Sequence, residues 1–316
     1  MRKAFITGIS GMDGSNLSEY LLSLGYEVHG IIRRHSTSES QDIRIASLPV
    51  KTYYGDVLDQ SSLERLLQEI QPDEIYNLAA QSHVRVSFDI PQFTCLTNSI
   101  GVLNILEAYR KCCPHAKFYQ ASSSEMFGDS VDNDGYQRET TPMYPVSPYG
   151  VSKLFGYHMV NTYRNSYGLH CCNGILFNHS GPRRGIAFVE QKICRTAVRI
   201  LKGLEDKLEL GNIYSYRDFG HSKDYVRAMH LIINQPIPGN YVVATGITKS
   251  IEDVVNYVFG RLGISMDKLV IDEKYKRPQE LNYLKGDASC IRQLGWKPEY
   301  TFETMLDEMI QYWENE

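Results

Sequence analysis

The chain has 316 residues, 42% of them hydrophobic and 22% charged, which are ordinary proportions for a globular protein too long for one small core. A formal net charge of −4 and a pI near 6.2 give no basis for nucleic acid or an anionic membrane as partner, so an anionic ligand needs local arginines and lysines. No apolar run approaches the roughly 20 residues of a membrane span, and the start lacks a signal-peptide core. Seven cysteines without a CxxC pair read as reduced thiols of a cytoplasmic protein, not as a metal site or disulfide framework.

In chain order, Lys3–Thr7 reads as a strand that runs into Thr7-Gly8-Ile9-Ser10-Gly11-Met12-Asp13-Gly14, with a helix over Ser15–Ser23 behind it. Gly8, Gly11 and Gly14 permit a tight turn, close approach of a pyrophosphate, and close packing of helix on strand. The phosphates then meet a helix N-terminus, where N–H groups and the dipole favour negative charge. A second strand, Glu27–Ile32, leads to Arg33 and Arg34. An NAD site usually places a carboxylate at this point. Two guanidinium groups suit a 2′-phosphate instead, so the expected cofactor is NADP. Val50–Tyr54 is a third strand, followed by Asp56-Val57, which could lie along the adenine. A helix over Ser61–Glu69, a strand at Glu74–Leu78, a helix containing Val102–Tyr109 and a strand at Lys117–Ser122 continue the alternation. Repeated strand–helix units predict an α/β fold with a doubly wound parallel sheet.

Tyr149-Gly150-Val151-Ser152-Lys153 puts a tyrosine and a lysine four residues apart, on one face of a helix. A free phenol is a poor base at neutral pH, but a neighbouring ammonium favours phenolate. Tyr149 could then remove a proton from a sugar hydroxyl while hydride leaves for a nicotinamide. The pair is a weak signal alone and a strong one beside TGxxGxxG. From about Asn178 the pattern becomes irregular. The expected division is a nucleotide-binding domain of residues 1–177 with a returning segment at about 213–235, and a smaller substrate-binding domain of 178–212 and 236–316.

TGISGMDG, Asn77-Leu78-Ala79-Ala80 and YGVSK together resemble the extended short-chain dehydrogenases. GYEVHGIIRR, QPDEIYNLAAQSHV, FYQASSSEMFG, YPVSPYGVSK, GILFNHSGPRRG, RDFGHSKDYV and LGWKP extend the resemblance, nearly end to end, to the GDP-mannose 4,6-dehydratase family. The resemblance implies a Rossmann-type domain with NADP, contacted also by Leu78, Ala79 and Ala80, and a GDP-sugar domain. It implies that Ser123, where the family usually has threonine, hydrogen-bonds the oxygen on carbon 4, and that Glu125 is the acid/base. Ser82, Asn178, Val189, Lys192, Arg217, Arg277 and Glu280 would hold the substrate. Met12 replaces the usual glutamine. A homodimer or homotetramer is implied as well.

The implied reaction is dehydration of GDP-mannose, or of a GDP-manno-heptose-like sugar, to the 4-keto-6-deoxy product. A 4-keto-6-deoxy-sugar reductase or an epimerase on the same scaffold is the alternative, and Ser123 is compatible with the reductase. A non-catalytic NADP sensor would be expected to lose Tyr149 or Lys153. His179 and His221 read as structural, and Arg183-Arg184 as contacts either to a neighbouring subunit or to the diphosphate.

Overall fold

The computed structural model describes residues 1–34, 43–275 and 278–316. The first half runs β1 (Lys3–Thr7), α1 (Met12–Ser23), β2 (Glu27–Ile32), β3 (Lys51–Tyr54), α2 (Gln60–Ile70), β4 (Glu74–Asn77), α3 (Val84–Asp89), α4 (Pro91–Cys95), a π-turn at Leu96–Ile100, α5 (Gly101–Cys112), β5 (Lys117–Ser123) and α6 (Pro148–Tyr167). The second half continues with β6 (Cys171–Leu176), β7 (Asn178–Ser180), α7 (Val189–Leu201), β8 (Leu208–Leu210), β9 (Tyr216–His221), α8 (Ser222–Ile233), β10 (Asn240–Val243), β11 (Thr248–Ser250), α9 (Ile251–Leu262), β12 (Leu269–Ile271), α10 (Ser289–Gln293) and α11 (Phe302–Asn315).

Seven strands form one sheet in the order β10-β6-β5-β4-β1-β2-β3, with every neighbouring pair parallel. Alternate residues feed opposite faces: Ala4 and Ile6 enter one core, while Phe5 between them enters the other. Both faces are therefore covered by helices, as a parallel sheet requires. The chain leaves β1 towards β2 on one side and returns at β4 on the other, so the strand order reverses between β1 and β4. Ligand crevices form at the carboxyl ends of the strands beside such a reversal.

The returning stretch reaches further than the sequence suggested. Helix α8 packs against α1, with Asn16 Nδ2 donating to Ser222 Oγ at 2.8 Å. Strand β10, beyond residue 235, then adds a seventh strand beside β6. The remaining segments build a second core from α7, α9 and α11 over β9, centred on Ile193, Val198, Phe219, Val255, Phe259 and Met305. Strands β7, β9 and β11 form its three-stranded sheet. Leu281, Leu284, Ile291 and Trp296 instead pack into the first core. Among the described residues, no helix is long and apolar enough to cross a membrane.

Candidate active site

The turn after β1 needs glycine for reasons of space. Gly8 has φ +72°, and a Cβ on it would stand 2.9 Å from Ala79 N. A Cβ on Gly14 would lie 2.3 Å from the carbonyl oxygen of Gly8. Thr7 organises the opposite wall: its hydroxyl donates to Asn77 Oδ1 at 2.5 Å and accepts from the N–H groups of Leu78 and Ala79, both at 3.1 Å. Gly11 is the N-cap of α1 and has no side chain to occupy the first-turn N–H groups, which leaves them for an anion.

A cavity of about 280 Å³ opens over this turn. Gly8, Gly11, Met12, Asp13, Gly14, Arg33, Asp56, Val57, Leu78, Ala79 and Ala80 line it. Arg34 is exposed and lies outside the lining. The shape and donor set fit a dinucleotide with its pyrophosphate at the helix end.

A second cavity, about 610 Å³, joins the first at Asp13, Leu78, Ala80, Ser82 and Arg184. Ser123, Glu125, Tyr149 and Lys153 line it, together with Ser82, Asn178, Val189, Lys192, Arg217 and Glu280. Arg277, the remaining sequence candidate, lies outside the described residues.

Helix α6 delivers the tyrosine and lysine. Pro148 occupies its first turn, and Ser147 caps it by accepting from Gly150 N at 3.0 Å. The N–H of Tyr149 donates to Ser87 Oγ at 3.3 Å. Strand β5 ends at Ser123, whose hydroxyl accepts from Glu125 N at 3.2 Å. Burial pushes the Tyr149 phenol up to about 12; the Ser123 hydroxyl opposes the rise and the Glu125 charge adds to it. Burial pushes Lys153 down to about 8, with Asp13 opposing. Lys153 Nζ donates to Ala121 O at 2.9 Å and lies 5.8 Å from the centre of the Tyr149 ring. Glu125 is 7% exposed, a carboxylate carried into the cleft rather than onto the surface.

The far end of the cleft is cationic. Arg217 is buried and donates to Tyr216 O at 2.8 Å. Lys192 Nζ donates to Glu209 O at 2.6 Å and sits 3.8 Å above the Tyr275 ring, and burial lowers its pKa. Lys274 and Tyr275 join this wall without having been singled out in the sequence; a Lys-Tyr pair in a loop carries no local signal.

Four other residues stand out. Arg183 bonds Asn16 Oδ1 at 2.9 Å and Glu19 at 2.8 Å, both on α1, whereas Arg184 lines both cavities with its guanidinium 3.5 Å over the Phe188 ring. The Arg-Arg pair thus divides into a clasp and a ligand-facing cation. His179 also lines the cleft, with Nε2 3.0 Å from Asp13 Oδ2. His221 is buried and caps α8, accepting from Lys223 N at 3.0 Å.

The model of the family described as GDP-mannose 4,6 dehydratase matches residues 5–309. A GDP-mannose 4,6-dehydratase of Vibrio cholerae is 43% identical over 98% of this chain and 93% of its own length. Among solved structures, UDP-glucose 4-epimerase of Thermus thermophilus, in complex with NAD, superposes with a TM-score of 0.87 at 26% identity over 98% of both chains. RMD from Pseudomonas aeruginosa, complexed with NADPH, superposes with a TM-score of 0.82 at 25% identity over 100% of both. The likeness in sequence covers the dinucleotide turn, the Tyr–Lys helix and the Ser123–Glu125 turn alike, and on it the chain belongs to the GDP-mannose 4,6-dehydratase family.

Proposed function

We propose that this protein dehydrates GDP-mannose, or a closely related GDP-sugar, to the 4-keto-6-deoxy product with NADP as a recycled cofactor. The observation that carries the reading is the buried Glu125 beside the Ser123–Tyr149–Lys153 set, in a cleft that opens into the dinucleotide cavity. Epimerisation or reduction at carbon 4 needs no such carboxylate, and the family match does not favour either.

A dinucleotide held at the glycine turn would supply, through its nicotinamide, the acceptor for hydride from carbon 4 and its donor to carbon 6. Ser123 orients the carbon-4 hydroxyl, and Tyr149 removes its proton. The Lys153 ammonium favours the phenolate form of Tyr149. Once carbon 4 is a ketone, the proton on carbon 5 is acidic and Glu125 takes it. Glu125 then protonates the hydroxyl on carbon 6, which departs as water. Carbon 5 takes back one proton when hydride is returned to carbon 6, matching the proton Tyr149 removed from the carbon-4 hydroxyl, so GDP-mannose gives the 4-keto-6-deoxy sugar and one water with no net oxidation. The preference for NADP rests on Arg33 and on the absence of a carboxylate at the end of β2.

Asn178 is assigned to the diphosphate or the sugar, Lys192 and Arg217 to the pyrophosphate and nucleotide, Glu280 to the ribose hydroxyls and Ser82 to the hexose. A homo-oligomer accords with the exposed apolar side chains Phe93, Leu96, Ile100, Val151 and Phe155 on the packed helices α4 to α6. Light scattering checks the oligomer.

The reaction is tested by mass spectrometry of enzyme, NADP and GDP-mannose in heavy water. The product loses the mass of one water and gains one deuterium at carbon 5. Stoichiometric consumption of NADPH with a keto-sugar, and no dehydration, would point to the reductase instead.

A further inference from the structure

Asp13 stands in the first turn of α1, inside the loop that the glycines open for phosphates, and it lines both cavities. A carboxylate there has the wrong sign, since the helix end and its N–H groups attract an anion and Asp13 repels one. His179, on β7, meets this charge. Its Nε2 is 3.0 Å from Asp13 Oδ2, and its Nδ1 is 2.8 Å from the carbonyl oxygen of Phe177. A carbonyl oxygen only accepts, so Nδ1 carries a hydrogen. A bare Nε2 facing a bare carboxylate oxygen at that distance would set two lone pairs against each other. One proton therefore lies between them, and the pair is neutral whichever atom holds it. The imidazole stacks on Tyr225, with ring centres 4.3 Å apart and planes 22° apart, which fixes its direction. Burial alone would raise the Asp13 carboxyl, but His179, Arg184 and Lys153 together hold it below its ordinary value.

We propose that Asp13 and His179 form a neutral, proton-sharing pair that cancels the acidic charge inside the phosphate loop and pins that loop to the second half of the chain. His179 is then a positioning residue, acting on the dinucleotide through Asp13. The inference rests on the dinucleotide reading of the first cavity. It explains how an acidic residue can stand in an anion site: the loop gains a rigid anchor 166 residues away in sequence without gaining net charge.

The test is calorimetric titration of NADP into wild type, His179→Asn, Asp13→Asn and the double variant Asp13→Asn/His179→Asn. With its hydrogen-bonded partner removed, Asp13 keeps a charge that Arg184 and Lys153 offset only through space, and His179→Asn should weaken NADP binding about tenfold or more, as expected when a buried charge loses its paired group. The double variant, which also removes the charge, should recover to within about threefold of wild type. A purely structural histidine, or one that touches the cofactor itself, predicts the opposite: the double variant binds no better than the single one. That result overturns the proposal, as does wild-type affinity in His179→Asn. Should His179→Asn fail to fold, His179→Gln, which keeps a donor but carries no charge, takes its place with the same expectations. If wild type binds neither NADP nor NAD, the dinucleotide reading itself falls, and the pair proposal falls with it.

Discussion

Gly150 faces the backbone of Glu125 so closely that a Cβ on it would stand 2.7 Å from the Glu125 carbonyl oxygen. The turn that carries the assigned acid/base and the helix that carries the assigned base are thus seated directly on one another. No atom fits between them. Gly150→Ala must push the two apart, at an overpacking cost of about 1–3 kcal/mol. The expected result is a lower midpoint of thermal unfolding and a turnover that falls more than GDP affinity does. Unchanged turnover would mean that the spacing of Glu125 and Tyr149 is immaterial.

Glu125→Gln keeps the side-chain shape but cannot accept a proton. Dehydration should fall by about 100-fold or more, the loss expected for a missing general acid/base, while GDP and NADP still bind. The variant should accumulate the 4-keto sugar with the carbon-6 oxygen retained, read as mass and as absorbance of reduced cofactor. Dehydration at the wild-type rate would remove Glu125 from the mechanism.

Ser123 accepts from the backbone N–H of Glu125 and its hydroxyl holds the Tyr149 phenol down, so it stands between the two assigned proton carriers. Ser123→Ala should lose about 10- to 1000-fold in turnover, the range for one transition-state hydrogen bond. Ser123→Thr keeps the hydroxyl, and its added methyl restricts the rotamer, so it should match or exceed wild type. Steady-state kinetics of the two variants decide, and an active Ser123→Ala would be the adverse outcome.

Arg33 lines the first cavity where the second strand ends, and Arg34 does not. NADP should therefore bind at least about tenfold more tightly than NAD, a difference of only ~1.4 kcal/mol. Arg33→Ala should erase most of that preference and Arg34→Ala little of it. Direct titration of both cofactors into the three proteins checks this, and equal affinities in wild type would refute the NADP assignment.

Lys153 gives a pH dependence of stability. Burial holds its pKa at about 8 against the ordinary 10.5, so between those values the unfolded chain keeps a proton that the folded one has released. Stability then rises with pH across that window. The gain relative to Lys153→Met should reach about 3 kcal/mol at most. Urea unfolding of cofactor-free wild type and variant, at about pH 8 and about pH 10, measures it. Parallel responses in the two proteins would contradict the burial of a charged lysine.

Much of this was legible in the chain because it is local. The strand Lys3–Thr7 and its glycine turn are fixed by steric demands within a dozen residues, and the Tyr149–Lys153 spacing is fixed by the helix period. The ends of elements were less legible. Helix α1 begins at Met12, inside the glycine motif, because phosphate-loop geometry rather than side-chain periodicity sets its first turn.

By itself, then, the sequence determined the parallel sheet, the dinucleotide turn, the Tyr–Lys pair and, through whole phrases, the family. Tertiary structure alone decided what depends on segments far apart. It placed Arg184 rather than Arg183 between the cavities, since α1 claims Arg183 through Asn16 and Glu19. It drew β10 into the main sheet by pairing with β6. It also set His179 against Asp13. The physical reason is common to all three: a backbone turn or a helical face is specified by neighbours along the chain, whereas a contact between distant segments is specified by how their cores pack, and no short run of residues encodes that.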